Sequence, residues 1–418
     1  MHLILWAIIA AATAGVILRP WGLPEYVSAL AGAALLVAFG LITPAAALAG
    51  VVKGGDVYLF LIGMMLLAEL ARNEGLFDWL AARAARMAAG SATRLFTLVF
   101  LVGAVVTIFL SNDATAVVLT PAVAAVTRAA KAKQPLPYLL ICAFIANAAS
   151  FVLPISNPAN LVIYGSHLPP LPQWLSQYAL PSLLAIVETY AVLRWTQRDA
   201  LRQTIAAAID VPALAAGGRL AGLGIIGTAV VLLFASGFGM ALGLPSFLAG
   251  VATAALVGIR SKSGPIAMVR DISWGVLPLV AGLFVMVEAL QRTGITQHLA
   301  DTLHAMAENS ATAAAWATGA ALAFGSNLVN NLPAGLLAGR VVALAKSPEQ
   351  VRAALLIGVD LGPNLSLTGS LATILWLTAL RREGQFVSAW SFLKLGLLVM
   401  PVPLIAALAA IARQPASG

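Results

Sequence analysis

The chain has 418 residues, 61% of them hydrophobic and 10% charged, with a formal net charge of +8. Soluble domains carry about 25% charged residues, so a soluble fold is excluded. The Ala- and Leu-rich, aromatic-poor make-up suits spanning helices and not a barrel of alternating strands. The basic residues sit between hydrophobic runs, so the charge reads as loops facing anionic lipid and not as a nucleic-acid surface.

Each span needs about 20 apolar residues. In chain order, spans are expected near 2–18, 26–43, 57–72, 138–165, 177–195, 221–243, 246–259, 273–291, 353–380 and 387–411. Residues 1–18 lack a Lys or Arg n-region and end at Arg19, Pro20 and Trp21, so they read as a first membrane helix and not as a cleaved signal. The 138–165 and 353–380 spans are interrupted by Pro or Gly, at Pro154, Pro158, Gly362, Pro363 and Gly369. Trp79, Trp174, Trp195, Trp274 and Trp390 read as interface anchors.

Two further stretches, 95–127 and 312–345, are too long for one straight span and too short for two joined by a loop. Each carries a polar cluster at its middle. The first is Ser111-Asn112-Asp113-Ala114-Thr115; the second is Ser326-Asn327-Leu328-Val329-Asn330-Asn331-Leu332-Pro333. A re-entrant helix hairpin with a polar tip fits both. Arg72, Arg83, Arg86 and Arg94 precede the first, and Arg128, Lys131 and Lys133 follow it, so both of its ends belong on the cytoplasmic side. The 166–176 loop lacks Lys and Arg and belongs outside. Arg194, Arg198, Arg202 and Arg219 return the chain inside, as do Arg260, Lys262 and Arg270, and later Arg381 and Arg382. Arg340, Lys346 and Arg352 then face outside, against the bias. Ten spans and two hairpins result, with both termini outside.

Five spans per half require the halves to be inverted. Residues 1–200 form the first repeat, 201–220 a cytoplasmic linker and 221–418 the second repeat. Glu69 and Gly75 match Glu288 and Gly294; Ser111 and Asn112 match Ser326 and Asn327; Ser156, Asn157 and Asn160 match Gly369, Ser370 and Thr373. After each glycine comes a short amphipathic helix, basic in the first copy (Arg83, Arg86) and acidic in the second (Asp301, Glu308). Inverted repeats with broken helices are the plan of secondary transporters.

The candidate site follows from the breaks. Half-helix termini offer free N–H and C=O groups to a polar solute. Asp113 is the leading candidate for a titrating coupling group, because a carboxylate in hydrocarbon is costly and readily protonated; its alternative is a cap for the hairpin turn. Asp360 is the second candidate, with a helix-break cap as its equal alternative. Ser111, Asn112, Thr115, Ser156, Asn157, Asn160, Asn327, Asn330, Asn331, Gly369, Ser370 and Thr373 are expected to line a substrate site, since amides and hydroxyls both donate and accept. Turn-capping is the alternative for the asparagines. The four histidines show no ligand-like spacing, Cys142 is the one cysteine, and no phosphate-binding GxxxxGK[ST] loop occurs, so no cofactor or metal is expected and the chain cannot hydrolyse ATP alone.

At these motifs the chain resembles the arsenite efflux permeases of the ion-transporter superfamily. The resemblance is carried by Ser111 to Thr115 with Leu119-Thr120-Pro121, by Ile145 to Ser150 with Ile155 to Asn160, by Ser326 to Pro333, and by Ile357 to Pro363 with Thr368 to Thr373. It runs over nearly the whole chain. It implies a multi-pass protein of a bacterial or archaeal inner membrane that exports arsenite and antimonite as neutral trihydroxides in exchange for protons. Such permeases can pair in some organisms with a soluble arsenite-stimulated ATPase. The dicarboxylate carriers of the superfamily carry Ser-Asn-Thr at both tips for sodium; Ser-Asn-Asp and Ser-Asn-Leu stand here. A sodium/proton antiporter or anion carrier of the same fold, or the channel subunit of an ATP-driven pump, are the competing readings.

Overall fold

The computed structural model describes residues 2–165, 168–260, 270 and 272–414. Lys262 and the start of the 166–176 loop, both used in the charge reading, lie outside the described residues. The first half runs α1 His2–Leu18, α2 Glu25–Ala38, α3 Pro44–Lys53, α4 Gly55–Asn73, α5 Leu76–Ala88, α6 Ala92–Phe109, α7 Asn112–Ala114, α8 Thr120–Ala129, α9 Leu136–Ala148, α10 Pro158–Tyr164 and α11 Leu171–Thr196. The second runs α12 Ala216–Gly237, α13 Gly243–Arg260, α14 Val276–Gln291, α15 Ile295–Asn309, α16 Ala311–Val329, α17 Asn331–Ala345, α18 Glu349–Leu361, α19 Leu371–Arg382, α20 Ala389–Val399 and α21 Pro401–Ala412. Among the described residues there is no strand, only an isolated bridge between Ser91 and Thr204.

Burial follows hydrophobic pattern. α9 is apolar all round and every residue from Pro137 to Ala148 is buried, as expected of a helix enclosed by others. α12 instead exposes a stripe of Leu223, Ile226, Val230 and Phe234, each 45% to 65% open. In water such a stripe would be a liability; in a bilayer it meets acyl chains.

By length and hydropathy alone, three helical stretches are long and apolar enough to cross a membrane: Ala92–Phe109, Ala216–Gly237 and Ala389–Ala412. Two pairs qualify together but bend, α3 with α4 by 48° and α14 with α15 by 75°. Of the other expected spans, 177–195 lies within the single 26-residue helix α11, and the rest appear as shorter apolar helices or as split pairs, with 138–165 and 353–380 broken where Pro and Gly were read as interruptions. The bend between α14 and α15 falls at Gly294, whose φ of +80° only glycine adopts without strain. Gly75 does the same between α4 and α5 with φ +73°.

Small residues set the closest packing. A Cβ on Gly358 would lie 2.2 Å from the Gly319 carbonyl oxygen, and one on Gly362 2.3 Å from that of Ala323. α16 and α18 thus cross on paired small-xxx-small stripes, the contact that lets backbones meet inside a membrane. Gly63 and Gly250 do likewise for α4 and α13.

Candidate functional site

The two stretches with central polar clusters both fold back on themselves. Ile205 N–H donates to Gly90 C=O at 3.4 Å and Ala206 N–H to Ala130 C=O at 2.8 Å. The start of α6 and the end of α8 therefore lie side by side. At the other stretch, His304 Nδ1 lies 3.1 Å from the carbonyl of Ala345, so the end of α17 lies against α15, the helix that precedes α16. Ser91 caps α6 and Ser310 caps α16 through their hydroxyls.

At the first tip Ser111, not Asp113, is the cap: its Oγ accepts from Ala114 N–H at 3.2 Å. Asn112 Oδ1 accepts from Asp113 N–H at 2.9 Å. The Asp113 carboxylate takes no side-chain hydrogen bond among the described residues and lines a cavity instead. A π-helical turn, Thr115–Leu119, follows. Pro121 supplies no N–H to the preceding turn, which leaves that turn free to widen. Thr115 points away from the cavity, to the Thr107 hydroxyl at 2.8 Å.

At the second tip Asn330 holds φ 73° and ψ 150°, a conformation that costs an L-residue about 1–3 kcal/mol. Its Oδ1 caps Leu332 N–H and its Nδ2 donates to Thr368 C=O, both at 3.3 Å. Asn327 ties the tip to the second broken span: Nδ2 donates to Gly362 C=O at 2.9 Å, and Oδ1 accepts from the Ser366 hydroxyl at 2.7 Å. Gly369 lets Pro363 approach and accepts from Asn331 N–H at 2.8 Å. Asn331 faces the cavity.

The broken spans brace one another. Asn157 caps α10 and donates from Nδ2 to Asp360 Oδ1 at 2.7 Å. Ser370 caps α19 and donates to Asn147 Oδ1 at 3.2 Å. At the offset that pairs Asn157 with Ser370, Asn147 pairs with Asp360, so each half-helix cap is held by the matched residue of the other half. Asn147 Nδ2 also reaches Asn364 at 3.0 Å and Thr373 at 3.3 Å. Asn160 is structural: its Nδ2 gathers the carbonyls of Ser150, Leu153 and Pro154. Ser156 closes onto Ile108 C=O at 2.9 Å.

Of the expected lining, Ser111, Asn112, Asp113, Asn157 and Asn331 reach the cavity; the others hold the breaks in shape. The space comprises a narrow cleft of about 20 Å³ between the tips and an adjoining cavity of about 60 Å³ against α4, with no basic side chain among the described residues of either lining. The second opens, through shared walls at Glu69, Val117 and Leu375, into a vestibule bearing Arg72, Arg382 and Glu383. On the opposite side another vestibule is lined by Lys53, Tyr164, Glu288, Arg340 and Arg352. Between it and the cleft stands one helical turn on three elements: Pro158 to Val162, Val280 to Phe284 and Leu332 to Leu336. That is a barrier roughly 6 Å deep. Glu69 pairs with Arg72 in the first vestibule, and its match Glu288 with Lys53 at 2.6 Å in the second.

Sequence reasoning missed Asn147, hidden in the apolar run of α9; its signal was the match to Asp360. It also placed Trp174 at the membrane interface. Trp174 is instead fully buried, stacked near Tyr178 and Tyr164 with its Nε1 donating to Phe151 and Val152 carbonyls. Trp195 and Trp390 are exposed, as an anchor would be.

An all-helical chain with a lipid-facing surface and a polar centre between two vestibules is a membrane transporter. The model of the citrate transporter family (CitMHS) matches residues 3–359, and the chain belongs to that family. It is 29% identical to an arsenical pump membrane protein of Yersinia enterocolitica over 84% of each chain, and 29% identical to one of Escherichia coli K12 over 95% of each. Its fold resembles the crystal structure of the YdaH transporter of Alcanivorax borkumensis, with a TM-score of 0.58 over 88% of this chain and 86% of that one, at 16% identity.

Proposed function

We propose that this protein is a secondary active transporter of the bacterial inner membrane that exports arsenite and antimonite as neutral trihydroxides in exchange for protons. One observation carries the reading. The Asp113 carboxylate, which takes no side-chain hydrogen bond among the described residues, faces an amide-lined cleft that opens toward one vestibule. A neutral solute gains nothing from membrane potential, so uphill export needs a coupled ion, and Asp113 is the group to carry it, with Asp360 as the second acidic position. The amides of Asn112, Asn157 and Asn331 supply donors and acceptors for three hydroxyls. The relatives named as arsenical pump membrane proteins support the substrate class.

The family's description names citrate, so an anion carrier is the reading to set against this one. A tricarboxylate would meet the Asp113 carboxylate in a lining without a basic residue, a like-charge contact in a low dielectric. In a strain lacking its own metalloid efflux system, expression of the chain is expected to raise resistance to arsenite and antimonite and leave citrate uptake unchanged. Citrate uptake without metalloid resistance would overturn the assignment.

In this reading the chain consists of two inverted repeats, 1–200 and 221–418, whose hairpins enter the membrane from opposite faces. The crossed pairs Asn157–Asp360 and Ser370–Asn147 support that symmetry. The vestibule with Arg72 and Arg382 faces the cytoplasm in this reading because the flanks of the first hairpin, Arg83, Arg86 and Arg94 before it and Arg128, Lys131 and Lys133 after it, are basic, which makes this the inward-open state. Cys142 is wholly buried, so the native chain is expected to resist a membrane-impermeant maleimide until denatured. Cysteine at Leu375 should then label from the cytoplasmic face alone, and cysteine at Leu336 from the opposite face alone. Labelling of both from one face would exclude the inward-open assignment.

A further inference from the structure

The coupling reading leaves a question of route. Asp360 is completely buried, and its Oδ2 has no hydrogen-bond partner. Asn157 Nδ2 donates to its Oδ1 at 2.7 Å. A proton arriving from outside must cross the barrier beside it. Polar groups on α18, α10 and α11 run inward from the second vestibule beside that barrier.

α18 begins at Glu349, beside the second vestibule, and reaches Asp360 eleven residues on, about 16 Å along the axis. Alongside, the Tyr164 hydroxyl donates to Glu349 Oε1 at 2.7 Å, and the Tyr164 and Tyr178 hydroxyls lie 2.7 Å apart. Both tyrosines are buried, Tyr178 wholly. Tyr164 itself lines the vestibule, with Arg352 over its ring at 5.4 Å and Arg352 paired to Glu349 at 3.6 Å. Tyr178 in turn packs edge-on against Phe151, the sequence neighbour of Ser150, at 6.3 Å between ring centroids. One turn beyond Tyr178 on the same face of α11, Ser182 Oγ is buried with no partner. Ser150, beside Asp360, turns its hydroxyl to Asn147 C=O at 2.7 Å. Buried hydroxyls and carboxylate oxygens left without partners are places where an ordered water bridges. Such a row is costly to bury in hydrocarbon unless its polar atoms find partners.

We propose that Glu349, Tyr164 and Tyr178 form a proton path that connects the second vestibule to Asp360, separate from the cavity that holds the solute. The path rests on the proton-exchange reading given above. The balance is simple. Glu349 takes one proton from vestibule water and becomes a donor to Tyr164. Tyr164 passes its own proton to the Tyr178 oxygen, and Tyr178 passes its own onward, by way of Ser182 or water, to the Asp360 carboxylate. Each hydroxyl gives one proton as it receives one, and the net change is one proton moved from the vestibule to Asp360. The charged groups facing the path are Arg352 and Arg340 at its mouth, with Lys53 and Glu288 paired across the vestibule.

The test uses the full-length protein in proteoliposomes, with arsenite as the probe. Tyr178→Phe and Tyr164→Phe keep the rings that pack on Trp174 and Phe151 and remove only the hydroxyls. Transport driven by an imposed pH gradient is expected to fall by at least about 10-fold, toward the hundredfold that a positioned proton-transfer group supplies. Arsenite-for-arsenite exchange without a gradient, which moves no net proton, is expected to stay at the wild-type rate. Gradient-driven transport at the wild-type rate in both variants would overturn the path. So would an equal loss of both activities, which marks a structural role. Failure of the underlying reading is seen separately, as wild-type protein whose arsenite flux ignores the pH gradient.

Discussion

Asp113→Asn is expected to abolish metalloid transport driven by a pH gradient while leaving the folded protein intact. The two halves of that statement come from different observations. The fold should survive because Asp113 is not the cap of its tip; Ser111 Oγ holds that place. The carboxylate makes no side-chain hydrogen bond that the amide would break, and asparagine keeps the shape. Stability should therefore change by no more than about 0.5 kcal/mol, the scale of a substitution that breaks no cap, network or packing. Coupling should fail because the amide cannot bind and release a proton at the cavity wall. In everted vesicles under an imposed pH gradient, arsenite accumulation should fall by about 10²-fold or more, the scale of a lost proton-transfer group. Exchange of arsenite for arsenite should persist, since Asn112, Asn157 and Asn331 still line the cleft. Accumulation at the wild-type rate in the variant would remove Asp113 from the coupling step.

Gly358→Val is expected to have the largest effect on stability. Its Cβ would stand 2.2 Å from the Gly319 carbonyl oxygen and 3.0 Å from its carbon. Both are backbone atoms of α16, so no flexible side chain can yield. α18 would have to move away from α16, taking with it the Gly362–Ala323 contact and the Asn327 bond to Gly362. Overpacking of a tight contact costs about 1–3 kcal/mol, and more where backbone meets backbone. Loss of monodisperse protein on detergent extraction, or a melting temperature lowered by several degrees, is the expected result. Ala379→Val, at the end of α19 beside the open vestibule, serves as a control that should change little. A Gly358→Val protein as stable as wild type would mean that the α16–α18 crossing is looser than it stands here.

Much of this arrangement was legible in the chain. Polar clusters in the middle of 95–127 and 312–345 marked two places where the backbone could not run straight, and in each the helix breaks there, at Leu110–Ser111 and at Asn330. Pro and Gly marked the breaks in 138–165 and 353–380 because they remove a donor or a Cβ, a local property that a sequence carries openly. Glu69 and Glu288 both fall near the C-terminal ends of their helices, and Asn157 and Ser370 both stand as N-caps. What lay beyond the sequence were the partners across the fold. Residue type alone does not say whether an asparagine lines a cavity or gathers carbonyls, and Asn160 and Asn327 proved to do the second. Asn147 was marked only within the Ile145 to Ser150 motif and not as a site residue; its bonds to Ser370 and Asn364 place it. Trp174 looked like an interface anchor because a tryptophan before a long apolar helix often is one; only the tertiary packing of Tyr164, Tyr178 and Phe151 around it reveals a buried ring. The depth of the barrier, one turn shared by α10, α14 and α17, is likewise a property of three elements at once.

The claim at the centre of this account is exchange of a neutral metalloid hydroxide for protons by the chain alone. It is tested most directly with purified protein in proteoliposomes that enclose a pH-sensitive dye, with no ATP and no second protein present. An arsenite gradient imposed on these vesicles is expected to move protons in the opposite direction, with citrate and sodium gradients producing no change. A dye signal that stays flat under arsenite, or one that answers to citrate or sodium instead, would contradict the account.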